Sequence, residues 1–163
     1  MSTLAYAAFT TSRDEAPPGT SSSQSPPGVS TYVDALAALV PAEVLSLHAV
    51  ILSVTTKTVN ATTQIIAPDT LAGAFYGLIV LSIVLYIAPR LIARKWDRMD
   101  YLRAVIPPLA FIGWTMLQRA TAFDAIFPGM DEATRTVLAL FLGVLLGLLA
   151  AALAYRADQK QEE

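Results

Sequence analysis

The sequence predicts an all-α integral membrane protein, with four transmembrane helices behind a disordered N-terminal tail. Three observations carry this prediction. Hydrophobic residues make 55 % of the 163-residue chain and charged residues 15 %, against ~25 % charged in ordinary soluble domains. Beyond residue 30 the chain holds four apolar segments. Cations gather in one connection, where Arg90, Arg94, Lys95, Arg98 and Arg103 separate the second segment from the third.

The tail comes first. From Pro17 to Thr31, thirteen of fifteen residues are Pro, Gly, Ser or Thr. Such a stretch buries too little apolar area to offset its ordering entropy. Residues 1–30 therefore read as a disordered cytoplasmic tail, 31–157 as the four-helix transmembrane domain, and 158–163 as a short cytoplasmic C-terminal tail. The stretch Leu4 to Phe9, LAYAAF, leaves two readings open: plain disorder, or a contact for a cytoplasmic protein. No basic region followed by an apolar run marks a secretory signal.

A crossing helix needs ~20 mostly apolar residues. The second segment, Leu71 to Ala88, and the fourth, Thr136 to Tyr155, contain no charge. Either Asp69 or Thr70 is placed to cap the start of the second. The third, AVIPPLAFIGWTMLQ, has fifteen residues between Arg103 and Arg119. It reaches crossing length if both arginines snorkel to the interfaces, and Pro107-Pro108 is expected to bend it. The first segment, YVDALAALVPAEVLSLHAVILSV from Tyr32 to Val54, is long enough but carries Asp34, Pro41, Glu43 and His48. Two geometries fit it. One is a single helix bent at Pro41, the favoured reading. The other is an interfacial segment followed by a separate helix that starts at Pro41, with Glu43 at the positive end of its dipole.

The connection after the first segment has one cation, Lys57, and the one after the third holds Asp124, Asp131 and Glu132. The positive-inside rule then places both termini on the cytoplasmic side of a plasma (inner) membrane. The sequon Asn60-Ala61-Thr62 is a short, common pattern and assigns nothing.

Small residues recur at intervals of four: Ala139, Gly143, Gly147 and Ala151 in the fourth segment, Gly73 and Gly77 in the second. Membrane helices associate by close packing, which small residues permit. These stripes read as packing surfaces, within one chain or between copies. Four short helices enclose no water path, so a pore requires several copies.

The polar residues of the apolar segments are the candidate site. Glu43 and His48 serve either an ion or proton path or interhelical hydrogen bonding. By depth, Asp34 matches Arg103, and Glu43 matches Arg119. Asp34, Pro41 and His48, spaced by seven, share one helical face. Glu43 and His48 lie about 140° apart on a helix, so they do not make a metal pair. Arg90, Arg94, Lys95 and Arg98 are placed to bind anionic lipid headgroups.

Several function classes are excluded. With no cysteine and one histidine, thiol catalysis and most triads lack their residues. No phosphate-binding glycine loop, G-x-S-x-G elbow or H-E-x-x-H motif occurs. Net charge is −2, so no basic field points to nucleic acid. The reading is no enzyme, no cofactor and no metal. It is a homo-oligomeric membrane protein that forms a pore or anchors partners of a larger system. A small ion- or proton-coupled transporter working through Glu43 is the first alternative, and a structural scaffold the second.

Overall fold

The structure, a computed structural model, describes residues 29–92, 94 and 96–159. Most of the expected tail, residues 1–28, lies outside these, as do Lys95 and residues 160–163. Among the described residues the chain forms six helices and one β-hairpin: α1 Val29–Leu39, α2 Ala42–Thr55, β1 Thr56–Val59, β2 Thr62–Ile65, α3 Pro68–Ile92, α4 Asp100–Met116, α5 Ala122–Ile126 and α6 Glu132–Gln159. The fold is mostly helical. Two helices, Pro68–Ile92 and the Glu132–Leu153 part of α6, are long and apolar enough to cross a membrane. A third candidate arises if α1 and α2 form one broken span.

The first segment departs from the favoured expectation. It is not one helix with a bend. At Leu39–Pro41 the chain turns by 115°, and two helices result. Pro41 has φ −57° and ψ 134°, extended rather than helical, and its carbonyl accepts from the N–H groups of Val44 and Leu45. Proline supplies no N–H to continue α1 and stands where a new helix starts well. The runner-up reading of the sequence, a helix that begins at Pro41, is the one realised locally.

The connection after α2 is a second departure from the all-α expectation. Thr56 pairs with Ile65 and Val59 with Thr62 in an antiparallel hairpin. Its two turn residues, Asn60 and Ala61, have φ of 50° and 63°. That is the left-handed pair required by the tight turn whose twist matches the strands. The β-branched run on each side of an asparagine was the signal. α3 then opens at Pro68, before the expected caps. Leu71 donates to the carbonyl of Ala67, and Asp69 sits inside the first turn.

α4 is the axis of the bundle and packs against α1, α3, α5 and α6. It continues through Pro107 and Pro108, both buried. The prolines leave the carbonyls of Arg103 and Ala104 without their helical donors. At ~25 Å it is shorter than a ~30 Å hydrocarbon core. Its buried face joins Leu36, Val40 and Val44 of the first segment with Phe75 and Leu78 of α3 and Ala139 and Leu146 of α6. The long helices instead turn large apolar side chains outward. Tyr76, Val80 and Val84 of α3 are exposed, as are Phe141, Leu145 and Leu148 of α6. Soluble monomers rarely show so much contiguous apolar surface.

Candidate functional site

The break between α1 and α2 arranges the first segment's polar residues. Leu36, Val40 and Val44 point into the core at intervals of four, so the opposite side of the break faces out. Asp34 and Glu43 lie there, exposed, and neither forms an ion pair among the described residues. The Pro41 carbonyl accepts the N–H groups of Val44 and Leu45, while the N–H groups of Ala42 and Glu43 precede the first complete turn of α2. Glu43 occupies that first turn.

The depth-matched pairings of the sequence reading are not the ones formed. Arg119 donates from Nε and Nη2 to Glu132, at 2.6–3.1 Å, in an exposed bidentate pair. It does not pair with Glu43. Arg103 serves Asp100, not Asp34: Nη1 reaches the carboxylate at 3.2 Å, and Nη2 donates to the carbonyl of Leu153 at 3.1 Å. Sequence depth alone does not distinguish an acid on a neighbouring helix from one just beyond the helix end. In both cases the near acid wins because the two groups meet without extending a side chain through the core.

Asp100 is the residue that sequence reasoning missed. It is fully buried, and Oδ1 accepts from Arg90 Nη1 at 2.7 Å, from Arg103 Nη1 and from the Tyr86 hydroxyl at 3.3 Å. Oδ2 accepts the backbone N–H of Asp97. Asp100 precedes the apolar stretch of α4. Burial alone raises its carboxyl's pKa. The Asp97 N–H and the two guanidinium groups outweigh that and hold it below the usual carboxylate range. One carboxylate thus ties the end of α3 and the end of α6 to the start of α4. At the opposite end Asp124 caps α5 through Thr121 and pairs with buried Arg135 of α6.

His48 does not share an outward face with Asp34, because the turn at Pro41 breaks that register. It is wholly buried, with Phe111 and Trp114 edge-on, each 5.4 Å away. Neither ring nitrogen has a hydrogen-bond partner among the described residues, so the expected interhelical hydrogen bond is not made there, and shape holds the ring. His48→Leu is therefore expected to change stability by less than ~1 kcal/mol, since no partner is orphaned. Thermal unfolding in detergent measures this. A loss of several kcal/mol would reveal a polar partner.

The small-residue stripes divide. Ala139 is buried, and a Cβ on Gly143 would sit 3.6 Å from Leu36. Among the described residues Gly147, Gly73 and Gly77 have nothing within 4 Å of such a Cβ, and Ala151 is exposed. The tightest glycine among those described is Gly113 in α4, where a Cβ would meet Leu142 at 3.2 Å and Leu36 at 3.3 Å. Leu36 is thus keyed between the glycines of two helices. Of the cations assigned to lipid, Arg90 is committed to Asp100 yet 38 % exposed, and Arg94 and Arg98 are exposed. Lys95 lies outside the described residues.

These features define a helical protein with two to three helices fit to cross a membrane, held by ion clusters at both ends and broken at Pro41. Compared with known proteins, no family model matches the chain, and no curated protein or solved structure matches it.

Proposed function

We propose that the chain is a four-crossing membrane protein that works as a homo-oligomer and forms a pore, with the α1–α2 break at its wet centre. The carrying observation is the break at Pro41 with exposed Asp34 and Glu43 on either side of it. Unpaired backbone groups are tolerated at membrane depth only inside protein or beside water, and an ionised side chain in the bilayer centre costs ~2.5–3.5 kcal/mol on insertion scales. Among the described residues nothing covers Glu43 and Asp34. Copies arranged around them supply the cover and the water together. One bundle offers no path of its own, because its axis is filled by Phe111, Leu36 and their neighbours.

The number of crossings rests on parity. Arg90 of α3 and Arg103, which donates to Leu153 of α6, meet on Asp100. The C-terminal halves of both long helices therefore lie at one end, and α4 must return the chain between them. The broken α1–α2 pair makes the fourth crossing. The end bearing Arg90, Arg94, Arg98 and Arg103 faces the cytoplasm of an inner-membrane protein, so both termini lie inside.

Ion flux into liposomes containing the purified protein tests the proposal. The parent is expected to conduct, and Glu43→Gln to shift cation selectivity or reduce conductance, because a charge that attracts cations is lost. No flux from the parent removes the pore and exchanger readings together and leaves a scaffold. Identical flux from parent and variant keeps the pore and takes Glu43 out of it.

A further inference from the structure

We propose that the α3–α4 turn is a recognition site for the phosphate of an anionic phospholipid headgroup, with Arg90 as its fixed donor and Arg94 and Arg98 around it. The site is organised from beneath. Fully buried Asp100 serves two guanidinium groups with a single negative charge, so the cluster keeps net positive charge. The two arginines differ in role. Arg103, 20 % exposed, spends its second amino group on the Leu153 carbonyl and is a strut. Arg90 gives Asp100 a single hydrogen bond from Nη1, while its guanidinium lies 5.3 Å from the Tyr86 ring centroid. Ring and carboxylate fix its plane. Its other donors have no partner among the described residues, and a planar fork held this way matches two oxygens of a phosphate.

The surroundings select a lipid over a free anion. Ile92 is 83 % exposed, and Leu91 and Tyr101 stand out beside it. Trp96 packs edge-on to Tyr101 at 5.1 Å. In water these apolar groups would be an unfavourable surface next to a phosphate site. At a membrane interface they meet the upper acyl chain, where Trp and Tyr are favoured, while the arginines meet the headgroup. Asp97 accepts the backbone N–H of Arg98, which orders the turn. The proposal does not depend on conduction.

The test uses the full chain in nonionic detergent, with phosphatidylglycerol or phosphatidylcholine titrated in and bound lipid counted by native mass spectrometry. At about fivefold per arginine near an anionic surface, phosphatidylglycerol is expected to be retained at least ~10-fold more tightly. Arg94→Gln with Arg98→Gln changes only exposed side chains and should abolish most of that preference, with the melting temperature in phosphatidylcholine unchanged. Arg90→Gln should weaken it as well. Equal retention of the two lipids by the parent overturns the proposal, as does an undiminished preference in the double variant. A third arm adds glycerol phosphate: displacement of the lipid at equal concentration would show a site for free phosphate and would equally overturn it.

Discussion

Asp100→Asn is expected to be among the most destabilising conservative changes in the chain, with the melting temperature in detergent falling sharply. The amide keeps the shape of the side chain but leaves two guanidinium groups without their counter-charge. Removing one partner of a buried pair costs ~3–5 kcal/mol. The loss here belongs toward the lower end, because Arg90 is 38 % exposed and can recover water. Arg90→Gln in the same chain should restore part of it, and a double-mutant cycle on thermal unfolding measures the coupling. The pH dependence has a definite sign. Asp100 titrates below the ordinary carboxylate range when folded, so in mild acid the unfolded chain binds more protons than the folded one. Its contribution is complete above the unfolded carboxylate value of about 3.9 and is lost as pH falls through the depressed folded value. Equal stability of Asp100→Asn and parent at neutral pH would mean that the cluster does not join the helices.

Gly113→Leu is expected to be nearly as damaging, and comparison with two other glycines tells contacts within a chain from contacts between chains. At Gly113 a first carbon already lies 3.2–3.3 Å from Leu142 and Leu36, so a full side chain must force α4 away from α1 and α6. Overpacking of this kind costs ~1–3 kcal/mol, occasionally more. Gly143→Leu begins at an ordinary 3.6 Å from Leu36 and should cost less, by displacing that leucine. At Gly147 a first carbon meets nothing within 4 Å among the described residues, and the isolated chain should tolerate Gly147→Leu. Mass in mild detergent read beside melting temperature separates the cases. Loss of stability at 113 and 143 with loss of only the oligomer at 147 assigns Gly147 to an interface between copies. An unchanged melting temperature for Gly113→Leu would reject the keyed packing around Leu36.

Much of the architecture was legible because lipid and water impose simple rules. Uncharged runs as long as Leu71 to Ala88 and Thr136 to Tyr155 have few alternatives to a membrane-length helix, and they lie within α3 and α6. The hairpin of β1 and β2 is legible in principle, since Asn60 between Thr-rich runs is a turn signal, but the all-α expectation left no place for it. Asp100 was hidden by its surroundings: amid five cations of the 90–103 stretch, an aspartate looks like a solvated surface group. Gly113 was hidden because it belongs to no repeat.

The sequence by itself determined the quantities that depend on local composition: which stretches are apolar, and which connection gathers the positive charge; whether the chain bends or breaks at Pro41 it left open. These follow from one residue meeting solvent, lipid or its own backbone. Tertiary structure decided every pairing. Arg119 lies with Glu132, Arg103 with Asp100, His48 between aromatic rings and Leu36 between two glycines. The physical reason is directional. A helical wheel gives an angle around one axis, but the 115° turn at Pro41 resets that axis for everything before it. Only the packed helices then determine which faces meet.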